Sequence, residues 1–299
     1  MITKSKLLRK KLEEKSLIKV IGAYDAMSAK LVELHGFDAI WAGSFAISAT
    51  HALPDASILT MTEFLSASAS MADSCNIPVI ADCDTGFGGP NNVSHMVKKF
   101  ESAGMAAVCI EDKKFPKENS LLDGGTHDVL PEKEFVAKIL AAKNAKQDDD
   151  FMIIARIEAL IAGLGIDEAL KRASAYENAG ADAILIHSKQ KSPDEVFQFC
   201  DMWNGKIPIA IVPTTYPIVK LEEIKNHNIN IVIYANQTLR ASYAAITRLL
   251  DELSKSQSLS EVKEDMISME EIFKLQKMYE IKEDEAIIEE DLKKLGYIN

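Results

Sequence analysis

The sequence predicts an α/β protein built as a (β/α)8 barrel of the TIM type, in which eight parallel strands alternate with helices. Three observations favour this fold class. Eight short apolar, β-branched runs recur along the chain, helical segments separate them, and 299 residues suit one barrel with an extension. Unbroken apolar runs are typical of strands buried on both faces, and their alternation with helices indicates parallel βαβ units.

The eight predicted strands follow one another along the chain, and most end in a polar residue. In order, they are IKVIGAYD (18–25), DAIWAGS (38–44), IPVIADCD (77–84), AAVCIED (106–112), FMIIARIE (151–158), DAILIHS (182–188), IPIAIVP (207–213) and INIVIYAN (229–236). Among the intervening helices, Asn91 and Asn92 resemble N-caps, and so does Asp167. Gly104 and Gly180 are predicted to close helices before the next strand.

The barrel is predicted to span residues 1–252, and residues 253–299 form a C-terminal helical extension. This extension is acidic and favours helix, with Ile267, Ile272, Leu275 and Met278 at helical spacing. Two interpretations remain open for it. It is either a solvated tail or a pair of helices that packs on the barrel or on a neighbouring subunit.

Composition and charge limit the classes of partner that we expect for this chain. The chain is 47% hydrophobic and 26% charged, as is usual for a globular protein. Its 45 acidic and 34 basic residues give a net charge of -11, which repels phosphate backbones. A nucleic-acid partner is therefore not expected.

No membrane segment or cysteine framework is predicted. The N-terminal MITKSKLLRKKLEEKS is basic but lacks an apolar segment, and no run reaches the roughly 18 apolar residues of a membrane span. The four cysteines lie far apart without a CxxC pair, so a zinc site and disulfides are disfavoured. We expect a cytoplasmic protein without a membrane partner.

Polar residues at the ends of the predicted strands indicate a functional site. In barrels of this class, catalytic side chains lie at the C-terminal ends of the strands. The residues at these positions are Asp25, Ser44, Asp82, Asp84, Glu111, Asp112, Arg156, Glu158, His187, Thr214 and Asn236. We expect them to converge on one end of the barrel.

Three carboxylates among them predict a metal site. Asp82 and Asp84 share one face of a strand, and Glu111 ends the next strand. A cluster of acids repels itself unless a cation is bound, and oxygen ligands suit Mg2+ with several waters. Mg2+ is therefore the predicted cofactor.

The same end of the barrel also carries positive charge. Lys113, Lys117 and Arg156 are the candidate cations, and His187 is a candidate hydrogen-bond donor. A divalent metal together with arginine and lysine indicates a small anionic substrate with carboxylate or phosphoryl oxygens. A small molecule is thus the predicted partner.

Motifs along nearly the whole chain support a family resemblance. They include GAYDAMSAKLVELHGFDAIWAGS, DCDTGFG, EDKKFPKENS, ARIEALIAGLG, AGADAILIHSK, VPT and ANQTLRAS. With them the chain resembles the isocitrate lyase and phosphoenolpyruvate mutase superfamily, and within it the mutase family. The resemblance implies a barrel whose last helix is swapped between subunits, usually in a homotetramer arranged as a dimer of dimers.

The resemblance also implies a lid over the site. The segment 111–120 has the mutase pattern of EDK, five residues and NS. By this pattern Lys117, Asn119 and Ser120 close over the substrate and hold its phosphoryl group. Such a lid excludes water, which would otherwise hydrolyse a phosphoryl group in transit.

The activity implied is the interconversion of phosphoenolpyruvate and phosphonopyruvate, a step of phosphonate biosynthesis. Arg156 and His187 would bind phosphoryl oxygens, and Asp55 in LPDAS would receive or steer the phosphoryl group. Residues implied to bind substrate are Trp41, Gly43, Ser44, Phe45 and Asn236. Gly43 departs from the family, because mutases usually have serine at this position.

Other activities of the superfamily remain as alternatives. Phosphonopyruvate hydrolase, which gives pyruvate and phosphate, typically has threonine at the position of Asn119. Carbon–carbon lyases carry a KKCGH-type lid with a cysteine, whereas this chain has none between Cys109 and Cys200. A barrel that binds without catalysing is the least favoured alternative, because the carboxylates, the lid and Asp55 are all present.

Overall fold

The fold is a closed barrel of parallel strands, and this confirms the predicted fold class. The computed structural model describes residues 2–125, 127–263 and 266–298. Strands β1 to β8 pair in sequence order, and β8 pairs with β1. In the described residues the strands are β1 Ile18–Ala23, β2 Ala39–Ala42, β3 Val79–Asp82, β4 Ala107–Glu111, β5 Met152–Ile157, β6 Ala183–Ile186, β7 Ile209–Ile211 and β8 Ile231–Tyr234.

Helices connect successive strands, as parallel pairing requires. They are α1 Lys4–Glu14, α2 Ala26–Leu34, α3 Ser44–Thr50, α4 Met61–Ser74, α5 Pro90–Ser102, α6 Glu132–Ala145, α7 Gly165–Ala179, α8 Asp194–Met202, α9 Leu221–Asn226, α10 Gln237–Leu253, α11 Met269–Leu275 and α12 Met278–Lys294, with a 3-10 turn at Leu259–Glu261.

The core has two layers because side chains alternate across each strand. In β1, Ile18 and Val20 belong to the cluster inside the barrel, whereas Ile21 and Ala23 pack in the layer between strands and helices. Leu8 of α1 joins the inner cluster. With the interior filled by apolar side chains, polar chemistry is confined to the ends of the strands.

The helix boundaries correct two predicted caps. Helix α5 begins at Pro90 with Gly89 as N-cap, and the Asn92 side chain accepts from the Gly89 N–H. Helix α7 begins at Gly165, so Asp167 lies in its first turn. At the other end, Gly180 has φ of +100° and closes α7 as predicted.

The chain divides into two compact units. The first runs from its start to Arg240 and contains the barrel strands, and the second runs from Ala241 to its end. The second contains most of α10, the 3-10 turn, α11 and α12. Among the described residues, every helix is too short or too polar to cross a membrane.

Candidate active site

A cavity of about 650 Å³ lies at the C-terminal ends of the strands. Most residues predicted for the site line it, whereas Asp25, Asp84, Asp112, Lys113 and Glu158 do not. The predicted residues along it are Trp41, Gly43, Ser44, Phe45, Asp55, Asp82, Glu111, Lys117, Asn119, Ser120, Arg156, His187 and Asn236. The C-terminal ends of the strands and the segment 111–120 therefore surround one cavity.

The barrel register sets the charged floor of the cavity. Glu111 ends β4 and pairs in register with Arg156 of β5, so their side chains lie side by side. Arg156 Nε lies 3.3 Å from Glu111 Oε2. Burial raises the pKa of Glu111 to about 7, although Arg156 and Lys117 oppose this effect. Ion pairing thus only partly offsets the desolvation of this carboxylate.

The lid lysine lies among the carboxylates. Lys117 Nζ is 2.5 Å from Asp84 Oδ1 and 3.0 Å from Asp55 Oδ1, and it donates to Ser44 Oγ at 3.1 Å. The Ser44 hydroxyl in turn donates to Asp82 Oδ2 at 3.0 Å. Burial raises the pKa of Asp84, and Lys117 opposes that rise. The ammonium therefore supplies the opposite charge that buried acids need.

The segment 111–120, the predicted lid, contacts Asp55 through two side chains. Asn119 Nδ2 donates to Asp55 Oδ2 at 2.8 Å, while Lys117 pairs with the other oxygen. The backbone N–H of Lys117 also donates to Ser57 Oγ, at 3.1 Å. Two lid side chains thus fix the orientation of the Asp55 carboxylate.

The carboxylates fit a magnesium ion only with help from other ligands. Asp82 and Glu111 line the cavity, and Glu111 Oε1 is buried without a hydrogen-bond partner. Residues 2–125, 127–263 and 266–298 contain no group of three or more acid, histidine or cysteine side chains arranged to hold a metal directly. Mg2+ usually takes one or two carboxylates and completes its shell with water and substrate oxygens, and the donors here fit that pattern.

Unsatisfied polar atoms surround the cavity. His187 Nδ1, Thr214 Oγ1 and Asn236 Oδ1 are buried and have no hydrogen-bond partner among the described residues. Burial, followed by the charge of Arg156, lowers the pKa of His187 to about 4, so its ring is neutral near pH 7. Buried polar atoms without partners indicate that a polar ligand completes this site.

Lys113, a candidate cation for the substrate, and Glu158, a predicted strand-end residue of the site, both lie just behind the cavity and do not line it. Glu158 Oε1 accepts from Arg156 Nε at 2.5 Å, and its Oε2 accepts from Ser120 Oγ at 2.6 Å. Burial alone would raise the pKa of Glu158, but Arg156, His187 and Lys113 lower it to about 2. The sequence signal for Glu158 was its position directly after β5, and that for Lys113 was its place in the charged segment 111–120.

Two other strand-end acids do not reach the cavity. Asp25 is the N-cap of α2 and accepts from the Ser28 N–H at 2.7 Å. Asp112 is fully buried and accepts from Arg172, Tyr176 and the Glu158 N–H. The expectation that all strand-end polar residues converge was wrong for these two, because local capping and helix contacts take up their oxygens.

Packing explains the glycine at position 43. A Cβ added to Gly43 would lie 2.8 Å from Trp41 Nε1 and 2.9 Å from Trp41 Cδ1. Because Trp41 is buried in the wall of the cavity, its ring has little freedom to move away. Glycine is therefore the residue that fits this arrangement of Trp41.

Comparison with known proteins gives the family. The family model described as phosphoenolpyruvate phosphomutase matches residues 8–254. The phosphonopyruvate hydrolase of Variovorax sp. (strain Pal2) is 44% identical over 262 residues, covering 87% of this chain and 90% of the relative.

Solved structures show the same two activities. A phosphoenolpyruvate phosphomutase from Streptomyces platensis subsp. rosaceus has a TM-score of 0.92 at 44% identity, covering 94% of this chain and 98% of that one. A phosphonopyruvate hydrolase in complex with oxalate and Mg++ has a TM-score of 0.90 at 42% identity, covering 95% and 99%. Mutase and hydrolase are thus similar to this chain to the same degree. The chain belongs to the phosphoenolpyruvate phosphomutase family, and it is an enzyme of the isocitrate lyase and phosphoenolpyruvate mutase superfamily.

Proposed function

We propose that this enzyme is a phosphoenolpyruvate mutase, which interconverts phosphoenolpyruvate and phosphonopyruvate. The observation that carries the proposal is the hydrogen bond from Asn119 Nδ2 to Asp55 Oδ2 at 2.8 Å. It joins the lid residue typical of mutases to the carboxylate that faces the reacting phosphoryl group. A lid closed in this way excludes water, as an intramolecular transfer requires.

The phosphoryl end of the substrate would lie against Arg156 and His187. Arg156 stays protonated, and the neutral His187 ring donates one hydrogen bond, so together they stabilise charge spread over the phosphoryl oxygens. The carboxylate end would lie against the backbone N–H groups of Gly43, Ser44 and Phe45. Trp41 and Asn236 contribute to the walls around the substrate.

Mg2+ is the proposed cofactor, in keeping with its presence in the related hydrolase complex. Asp82 and Glu111 would hold it, with Asp84 acting through water. When bound, the ion acts as a Lewis acid that polarises the pyruvyl oxygens.

The reaction balances without another reactant. In the direction from phosphonopyruvate, the P–C bond breaks and its electron pair passes into the enolate of pyruvate. The phosphoryl group then bonds to the enolate oxygen and gives phosphoenolpyruvate. Asp55 steers the group between the two positions, with its carboxylate held by Lys117 and Asn119. The covalent alternative, an aspartyl phosphate on Asp55, would need one oxygen released by the lid.

Phosphonopyruvate hydrolase is the second candidate function. Its support is the 44% identity to the Variovorax enzyme. A hydrolase would have to admit a water molecule beside Asp55, where Asn119 and Lys117 now lie. The closed lid therefore favours the mutase.

We also propose that the enzyme is a homotetramer whose C-terminal helices are swapped between subunits. Support comes from α12, in which Ile281, Ile288 and Leu292 are exposed along one face of the helix. A partner subunit is the natural cover for such a face.

Phosphorus NMR tests the activity directly. The enzyme is incubated with phosphonopyruvate and Mg2+, and a parallel sample contains a chelator. Phosphoenolpyruvate without free phosphate is the expected product, and the chelator is expected to suppress it. Phosphate and pyruvate as main products would establish the hydrolase instead.

A further inference from the structure

The lid is also bonded to the barrel behind the cavity, through Lys113. This lysine is 1% exposed and does not line the cavity. Its ammonium donates to the Glu118 carbonyl at 2.7 Å and to Ser120 Oγ at 2.8 Å, and it lies 3.5 Å from Glu158 Oε2. An ammonium has three N–H donors, so these three contacts occupy all of them. Lys113 is therefore directed at the lid and not at a ligand.

The hydroxyl of Ser120 is saturated by the same group of residues. It donates to Glu158 Oε2 at 2.6 Å and accepts from Lys113 Nζ at 2.8 Å and from Arg156 Nη2 at 3.0 Å. A serine hydroxyl has one donor and two acceptor positions. It thus joins Lys113 of its own segment to Glu158 and Arg156 of the barrel, with no position left for a substrate oxygen.

Glu158 connects this bridge to the residue that faces the phosphoryl group. Its carboxylate is fully buried and holds Arg156 Nε at 2.5 Å, while Asp112 Oδ1 fixes its backbone N–H at 2.8 Å. Glu158 therefore contacts both the Arg156 guanidinium and Ser120 of the lid, in addition to the Arg156–Glu111 pair and the lid contacts with Asp55. Removing Glu158 takes a carboxylate partner from both Lys113 and Arg156, which is unfavourable for charges held in the barrel.

We propose that Lys113 and Glu158 are positioning residues, which hold the lid closed through Ser120 and fix Arg156 for the phosphoryl group. The part concerning Arg156 rests on the proposed function, whereas the part concerning the lid does not. Neither residue contacts the substrate. Ser120 acts in this arrangement through its hydroxyl bridge to the barrel.

Hydrogen exchange of the free enzyme, followed by mass spectrometry, tests the lid without any reaction. Lys114, Lys117, Leu121 and Leu122 have backbone N–H groups that donate hydrogen bonds in the closed lid. In Lys113→Met we expect these amides to exchange at least about tenfold faster, because hydrogen bonds from a charged donor are lost. The matched control is Lys114→Met, since that neighbouring side chain is 53% exposed and pairs with Asp128 on the surface.

Two further variants keep the test decisive if Lys113→Met unfolds. Ser120→Ala removes only the hydroxyl and is expected to accelerate exchange of the same amides. Glu158→Gln keeps the shape of the side chain and is also expected to accelerate exchange of these amides. If Lys113→Met folds, its double variant with Glu158→Gln is expected to exchange no faster than the faster single variant, because both act through one bridge. Thermal unfolding and exchange elsewhere in the barrel serve as the reference.

The outcomes separate this proposal from the proposed function. Unchanged lid exchange in Lys113→Met and Ser120→Ala would overturn it, as would equal acceleration in Lys114→Met. Acceleration throughout the barrel together with a matching fall in thermal midpoint would show a merely structural role. In activity assays we expect Glu158→Gln to lower kcat more than it raises KM. If lid exchange responds but no mutase turnover is found, only the proposed function fails.

Discussion

Asp55 is the residue on which the proposed chemistry depends most. Lys117 and Asn119 hold its two oxygens, and it lines the cavity. We predict that Asp55→Ala lowers kcat by at least about two orders of magnitude, because a positioned charge beside the reacting group is lost. Turnover is measured from the phosphorus NMR time course. Asp73→Ala on the exposed face of α4 is the control, and near-normal turnover in Asp55→Ala would reject the role.

Glu111 links metal binding to pH. Burial raises its pKa to about 7, so the folded protein keeps a proton that an unfolded chain, with a pKa near 4.5, would release between these values. The contribution of Glu111 to the free energy of unfolding is therefore greatest at acid pH and declines as pH rises towards 7. A metal ligand must be ionised, so we predict that Mg2+ affinity weakens by up to about tenfold per pH unit below 7.

Isothermal titration calorimetry at pH 6 and pH 8 measures this effect, and two buffers of different ionisation enthalpy report the protons released. Release is expected at pH 6 and little at pH 8. Glu111→Gln should remove the pH dependence. Equal affinity of the native enzyme at both pH values would show that Glu111 does not bind the ion.

Among the elements, the turn from β2 to α3 depends on a single glycine. A Cβ at Gly43 would lie within 3 Å of the buried Trp41 ring. We predict that Gly43→Ser lowers the free energy of unfolding by about 1–3 kcal/mol, since overpacking displaces neighbouring side chains. A raised KM for phosphonopyruvate is also expected, because Trp41 and Gly43 both line the cavity.

Thermal unfolding and tryptophan fluorescence check this prediction. The control is Gly89→Ser, because Gly89 is an N-cap with open space around its Cβ position. Serine is favoured at N-caps, so this variant should be neutral or slightly more stable. If Gly43→Ser matched Gly89→Ser in stability and KM, steric exclusion at position 43 would be refuted.

The strands could be predicted from sequence because each is an apolar run whose boundaries lie within a few residues of those observed. The run IPVIADCD contains β3, Val79–Asp82, and its end placed Asp82 at the cavity. The same rule placed Asp25 there, although it caps α2. The rule that polar residues follow the strands predicts at which end of the barrel the site lies. Local hydrogen bonds decide which of those side chains face the cavity.

The contacts of the lid could not be predicted in this way. Lys113 and Lys117 are four residues apart in one charged segment, yet one lies behind the cavity and the other among its carboxylates. Their different roles depend on Glu158, Asp55 and Asp84, which lie on other elements. Only the folded barrel brings these long-range partners together.

At the scale of the whole molecule, cationic side chains at the cavity offset the negative net charge of the chain. The chain carries a net charge of -11, yet its proposed substrate is an anion. Lys117 is buried at the cavity and the side chain of Arg156 is 13% exposed there, and both supply local positive charge. Because buried charges are screened little by salt, this local arrangement outweighs the distant surface charge. Substrate binding is thus compatible with an acidic protein.

The exposed face of α12 carries the prediction about assembly. Ile281, Ile288 and Leu292 are 50%, 59% and 37% exposed and lie along one side of the helix. We predict that Ile288→Glu in the full chain lowers the oligomeric state from a tetramer to a smaller species, because a buried carboxylate at a subunit interface would lack a partner.

Sedimentation velocity measures the change, and removal of residues 254–299 is expected to produce it as well. Ala286→Glu is the matched control, since it adds the same group to the opposite side of α12, where position 286 is also exposed. A native enzyme that sediments as a monomer would contradict the proposed tetramer. Equal sedimentation of Ile288→Glu and Ala286→Glu would show that this face of α12 does not bind a partner subunit, because the same carboxylate is added to the two sides of one helix and only one side is expected to be buried against another chain.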